Sequence, residues 1–147
     1  WLGLIMGKMA LQGRDKLTLI TSPSLAGFGL WVEQLLAEST GKEGRGIVPV
    51  SGEPLVDARH YGHDRLFIYL RLEQDENSEL DGAIESIQLA GHPLVRTDLQ
   101  DKYDLGGEFY RWEFATALAS ATAIDASTNT PSNSFPERLP LNCASEA

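Results

Sequence analysis

Three groups of residues in this sequence have side chains and spacings suited to chemistry. The first is Glu38, which opens the run Glu38-Ser39-Thr40-Gly41-Lys42 directly after a strongly apolar helical pattern. A carboxylate where a helix gives way to a loop, partly withdrawn from water, can serve as a general base. Its plain alternative is a solvated last-turn glutamate, although an acid at a helix C-terminus opposes the dipole there. The second group is Thr21-Ser22-Pro23-Ser24, between a β-rich run and a helix. Hydroxyls and free amides at a helix N-terminus suit an anion, and they equally suit simple capping. No GxxxxGK[ST] pattern is present, so this is not a P-loop. The third is Gly52–Asp64, GEPLVDARHYGHD, where His60 and His63 stand three apart with Asp57 and Asp64 nearby. A zinc site wants a further ligand in fixed geometry. The loop setting points instead to exposed histidines and no metal, with acid–base work by one of them left open. His92, ahead of Pro93 at a strand start, reads as structural, and Trp31 and Trp112 read as packing residues.

Hydrophobic periodicity supplies the elements that must carry these groups. Leu2, Leu4, Ile5, Met9 and Leu11 predict a helix over 2–12, broken by Gly13-Arg14-Asp15. KLTLI at 16–20 reads as a strand buried on both faces. Phe28, Trp31, Val32, Leu35 and Leu36 predict a helix from Leu25 to about Ala37, closed by a Gly-rich loop over 39–44. GIVPV at 46–50 is a second buried strand, 52–64 a polar loop, and LFIYLRL at 66–72 the strongest strand. The stretch 75–90 is an amphipathic helix with Leu80, Ile84, Ile87 and Leu89 on one side, acids near its start and Gly91 just past its end. LVRTDL is a fourth strand, and Asp104 is expected to cap a last helix over 105–124.

Four strands separated mostly by helices imply a parallel sheet with helices on both faces, a three-layer α/β/α fold of Rossmann type. Ligands in such sheets sit beyond the carboxyl ends of the strands. That selects the loops at 21–24, 51–64, 73–76 and 100–104, with Glu38–Lys42 expected to join them from the end of the helix.

The 147 residues suit a single domain, and with 42% hydrophobic residues wholesale disorder is excluded. A net charge of −9 repels phosphate backbones, so no nucleic-acid partner is expected. A small anion stays compatible, because a few local amides and cations override the global field. With no run of about 18 apolar residues, no membrane partner is expected either. The single cysteine, Cys143, makes no internal disulfide, which suits a cytoplasmic setting. The chain opens on Trp1 in mid-pattern without a basic leader, as a fragment of a larger polypeptide would. Residues 125–147 turn rich in Ser, Thr, Asn and Pro, and are expected to be a disordered or non-native tail after a domain over 1–124.

The run FGLWVEQLLAESTGKEGRGIVPVSGEP, 28–54, resembles the glucose-6-phosphate isomerase family, in which an apolar helix runs into Glu-Ser-x-Gly-Lys, then a strand and a Gly-Glu-Pro loop. The resemblance is closest to the compact isomerase domain of bacterial bifunctional transaldolase/glucose-6-phosphate isomerases. It extends to GRDKLTLITSPS, YGHDRLFIYLRL and AGHPLVRTDL…YDLGGEFYRWEFATALA, over residues 2–123. It implies a sugar-isomerase (SIS) domain with a five-stranded parallel sheet, here the second of two such subdomains. It places the catalytic base at Glu38, substrate contacts at Ser39, Thr40, Gly41 and Lys42, and the ring-opening histidine at His60. It implies a hexose 6-phosphate substrate, no cofactor and no metal. Leu55 to Arg59 depart from the family's GEPGTNGQH pattern, although His60 keeps its spacing from Gly52-Glu53-Pro54. The family's main sugar-phosphate loop and an active-site arginine belong to the first subdomain, and its catalytic lysine to a C-terminal helix. This chain runs instead into ATAIDASTNTPSNSFPERLP. Without those cations the isolated chain is expected to have little or no isomerase activity. A sugar-phosphate-binding domain without catalysis is the alternative.

Overall fold

In a computed structural model, which describes residues 1–41 and 46–128, the four expected strands form one parallel sheet. They are β1 (Lys16–Thr21), β2 (Val48–Ser51), β3 (Arg65–Leu72) and β4 (Leu94–Leu99), in the order β2-β1-β3-β4. Lys16 lies opposite both Val48 and Arg65, and Phe67 opposite Leu94. The resemblance implies five strands, whereas the described residues contribute four. The helices are α1 (Leu2–Leu11), α2 (Ala26–Thr40), α3 (Ser78–Leu89) and α4 (Leu105–Thr128).

Strand alternation divides the core in two. Leu17, Leu19, Leu66, Ile68 and Leu70 point to the face covered by α1, α2 and α4, where Met6, Val32, Leu36 and Trp112 are fully buried. Ile20, Phe67 and Tyr69 point to the other face, covered by Ile84 and Ile87 of α3 and by Ala58 and Tyr61 of the 52–64 segment. The fold is therefore the three-layer α/β/α expected, with one layer built partly from an irregular segment. Only the central strands β1 and β3 are buried throughout their middles. β2, expected to be a buried strand at 46–50, is a half-exposed edge strand over 48–51, as β4 is on the far side. An edge strand leaves one ladder to solvent, and a short one limits the exposed template.

The remaining boundaries move by a turn or less. Pro23–Leu25 forms a 3-10 turn before α2, so the helix starts at Ala26, and it runs past Ala37 to Thr40. α3 spans 78–89 rather than 75–90, and Leu89 faces solvent rather than the core. Gly91 takes φ +83°, while its amide and that of His92 return to the carbonyls of Gln88 and Ile87. This is the glycine C-terminal motif that the sequence suggests. Asp104 does not cap α4 alone. Asp101 accepts from the Tyr103 amide, and Asp104 reaches back to the amides of Gln100 and Asp101, a reciprocal box. α4 continues four residues beyond Ile124, so the start of the expected tail is helical, and 129–147 lie outside the described residues.

α1 and α4 run parallel and in unusually close contact. A Cβ at Gly3 would stand 2.4 Å from the Ala115 carbonyl oxygen, and one at Gly7 2.8 Å from Thr122 Cβ. Gly3 and Gly7 thus face Ala115 and Ala119 in a small-residue seam four residues apart on both helices. Trp112 is buried beneath it, while Trp31 is half-buried against Phe28 and Phe109. No helix among the described residues is long and apolar enough to cross a membrane.

Candidate functional site

The loops beyond the strand carboxyl ends come together as the fold class demands, but their polar groups are largely occupied by one another. Ser22, at the end of β1, is completely buried. Its hydroxyl donates to Asn77 Oδ1 at 2.6 Å and accepts from the Leu72 amide at 2.8 Å. Two residues on, the Ser24 amide and hydroxyl donate to the two oxygens of Asp75, at 2.7 and 2.8 Å. Of the amides expected to be free for an anion at 21–24, that of Ser24 is therefore served by a carboxylate of the chain itself and that of Ser22 by the Leu70 carbonyl. Those two bonds hold the Asp75 carboxyl below the ordinary aspartate range, the amide contributing most. No local signal in the sequence points to this latch, since Asp75 lies 51 residues beyond Ser24.

Glu38 is in a different place from the one expected. α2 returns antiparallel to β1, with Glu33 near its middle accepting from the amide of Ser51 at the carboxyl end of β2. Its last residue, Thr40, accepts from the Ile47 amide just before β2 begins. Glu38, Ser39, Thr40 and Gly41 therefore lie at the amino-terminal edge of the sheet, opposite the ligand-binding edge of the fold class. Glu38 is solvent-exposed, not desolvated, and its Oε1 accepts from the Gln34 side chain one turn earlier at 3.1 Å. Ser39 and Thr40 are still helical. The Thr40 hydroxyl donates to the Leu36 carbonyl, and the Ser39 carbonyl accepts from Ser120 of α4. Lys42 lies outside the described residues.

The 52–64 segment crosses the α3 face of the sheet and contains a 3-10 turn at Ala58–His60. Glu53 is held by Arg65, whose guanidinium makes bonds of 2.6 and 3.2 Å to it, bonds Thr18 as well and stacks over Tyr61. His60 and His63 are both exposed. Their neighbouring acids are taken: Asp57 by the side chain and amide of Arg59, Asp64 by Lys16. Each carboxyl is held below its ordinary range, chiefly by the side-chain hydrogen bond to its cation. No three His, Cys, Asp or Glu side chains gather as a metal-binding group among the described residues. His92 is buried, with Nε2 3.1 Å from the Ala58 carbonyl oxygen, and ties this segment to the start of β4.

Glu38 and His60 thus sit on opposite faces of the sheet, and no single described cleft contains both. A buried carboxyl joins the polar groups that the sequence does not single out. Glu108, in the first turn of α4, has a side chain only 8% exposed, with Arg111 Nη2 2.7 Å away. Burial pushes its carboxyl above the ordinary glutamate value, against the opposing pull of Arg111. The Glu-x-x-Arg spacing is visible in the sequence, but its inward direction is not. Comparison with protein-family models finds no match, and comparison with curated proteins finds none either.

Proposed function

We propose that this chain is the second sugar-isomerase subdomain of a glucose-6-phosphate isomerase, active only as part of a longer parent. The observation that carries the reading is the run ESTGK at the end of α2, with the Glu38 carboxylate open to solvent beside Gln34. In this reading Glu38 moves a proton between C1 and C2 of the open-chain sugar through a cis-enediolate, and the residues from Ser39 to Lys42 contact the sugar phosphate. An exposed carboxylate of this kind becomes a selective base only once another surface closes over it and excludes water. The first subdomain, which a transaldolase domain can precede, supplies that surface together with the phosphate loop and the arginine. The parent belongs in the cytoplasm, where it interconverts glucose 6-phosphate and fructose 6-phosphate in glycolysis and gluconeogenesis. No cofactor takes part.

A second reading, a sugar-phosphate-binding domain that does not catalyse, is favoured by one specific observation. Glu38 and His60 lie on opposite faces, so this subdomain alone does not assemble a base and a ring-opening acid. One coupled assay of fructose 6-phosphate conversion by the intact parent separates the two. The isomerase reading expects turnover that Glu38→Gln lowers by about 10²–10⁴-fold, as loss of a general base does, with hexose 6-phosphate binding retained in calorimetry. Turnover that survives Glu38→Gln refutes it. Binding without turnover in the unmodified parent favours the second reading. Ready turnover by the 147-residue chain alone would overturn the need for a partner subdomain.

A further inference from the structure

Helix α2 carries Glu38, and two of its side chains fasten it to the outer side of β2. The Val48 amide donates to the Asp15 carbonyl just before β1, so Val48 and Val50 turn their backbone groups toward β1. By alternation Ile47, Pro49 and Ser51 turn theirs outward. The Ser51 amide donates to Glu33 Oε2 at 3.0 Å and the Ile47 amide to Thr40 Oγ1 at 3.1 Å, while Pro49 has no amide to offer. Each outward position from Ile47 to Ser51 is thus either bonded to α2 or without a donor. The Thr40 hydroxyl also donates to the Leu36 carbonyl at 2.8 Å, which ties it into the last turn of the helix. Gly29, one turn before Glu33, lets the helix approach so closely that a Cβ there would stand 2.6 Å from the Ser51 hydroxyl.

We propose that Glu33 and Thr40 are positioning residues for Glu38, fixing the roll of α2 about its axis and so the direction of the carboxylate. This rests on the isomerase reading of Glu38. Gly29, Glu33, Leu36 and Thr40 recur at helical spacing and line the side of α2 against β2. Glu38 comes five residues after Glu33 and two before Thr40, about 140–160° around the helix from both. It therefore points away from the strand, where it stands exposed beside Gln34. The buried contacts of Val32 and Leu36 hold α2 on the sheet, but they are non-directional and resist a small roll weakly. Two hydrogen bonds placed two turns apart resist it directly. A helix with its side chains is about 10–12 Å across, so a roll of about 10° carries a surface carboxylate by about 1 Å. For a base that must reach both C1 and C2, a displacement of that size can lower the rate about a hundredfold. The Thr40 hydroxyl, engaged by the chain on both sides, serves the site by placement rather than by contact with the sugar.

Paired substitutions in the intact parent test the proposal. Glu33→Gln and Thr40→Ser keep an acceptor for the β2 amide, whereas Glu33→Met and Thr40→Val remove it at similar size. Turnover of glucose 6-phosphate is expected to fall about tenfold or more in the pair without the acceptor, with KM little changed, and to recover in the pair that keeps it. Glucose 6-phosphate deuterated at C2 supplies a readout that the amount of folded enzyme does not move. Glu38 takes the deuteron from C2 and returns it to C1 unless it first exchanges with water, and a displaced base returns it more slowly. The share of label reaching C1 at early conversion should therefore drop with Glu33→Met and Thr40→Val alone.

Equal turnover and equal label transfer within each pair overturn the proposal while leaving the isomerase reading in place, provided Glu38→Gln abolishes turnover. A loss of turnover with label transfer unchanged marks a role in stability alone and overturns it too. Turnover that survives Glu38→Gln removes the isomerase reading, and this inference with it. Amide exchange in the unmodified 147-residue chain needs neither substrate nor variant. The Ile47 and Ser51 amides should both be protected, and exchange at either as fast as in an unbonded amide refutes the fastening of α2 to β2.

Discussion

Replacing Gly3 by Ala sets two well-measured effects against each other, and the geometry decides between them. Gly to Ala inside a helix gains about 1 kcal/mol in intrinsic propensity. At Gly3, however, the new methyl would stand 2.4 Å from the Ala115 carbonyl oxygen and 2.9 Å from Leu118 Cβ. Comfortable carbon contacts lie at about 3.5–4.0 Å, so α1 must withdraw from α4 by about 1 Å. Overpacking of this kind costs about 1–3 kcal/mol, and withdrawal also loosens the contacts of buried Leu2 and Met6. The expected net is a loss of about 1–2 kcal/mol, or roughly 3–6 °C in Tm for a domain of this size. Gly82 provides the internal comparison. It lies in the middle of α3, where an added methyl would find no neighbouring atom within 4 Å. There Gly→Ala meets only the propensity effect, and a gain approaching about 1 kcal/mol is expected. Urea denaturation followed by far-UV circular dichroism reads both. A Gly3→Ala chain as stable as the unmodified one, or more stable, would refute the close-packed seam.

Two further substitutions test the buried polar groups. Ser22→Ala leaves Asn77 Oδ1 and the Leu72 amide without their partner in a dry site, and should cost about 1–3 kcal/mol in chemical denaturation. Glu108 has a folded pKa above its unfolded one, so its contribution to stability is fully present below the unfolded value and is lost as pH rises through the folded value. Glu108→Gln, which never ionises, should therefore gain relative to the unmodified chain as the pH is taken from below the ordinary glutamate value to well above it, measured by thermal melts. A difference between the two chains that stays constant across that range would contradict the assignment.

The core strands are legible in the sequence because unbroken apolar runs such as KLTLI and LFIYLRL have no other comfortable home than the middle of a parallel sheet. The rank of GIVPV is not, since an edge strand and a central one share a composition and differ in what lies beside them. The place of Glu38 turns on direction. Its helix is plain in the periodicity, but a helix joining parallel strands must run back down the sheet, so its end lies opposite the strand carboxyl ends. The Ser24–Asp75 latch is illegible in principle, because either residue alone is an ordinary turn former and only tertiary structure brings them together. Gly3 and Gly7 likewise look like weak points in a helix until the opposing alanines of α4 give them a reason.

The parallel packing of α1 on α4 has a consequence for the birth of the chain. α1 emerges well before the residues it lies against, since Ala115, Ala119 and Thr122 follow roughly a hundred residues later. At about 5–20 residues per second, its apolar side waits on the order of 5–20 s for its partner. Throughout most of that interval β1, the strand just after it, also lacks a complete sheet. Over that interval the ribosome-bound nascent chain displays an adhesive amphipathic helix, a natural foothold for a holding chaperone. Stalling translation before Thr122 should prolong that capture, and release should coincide with completion of α4.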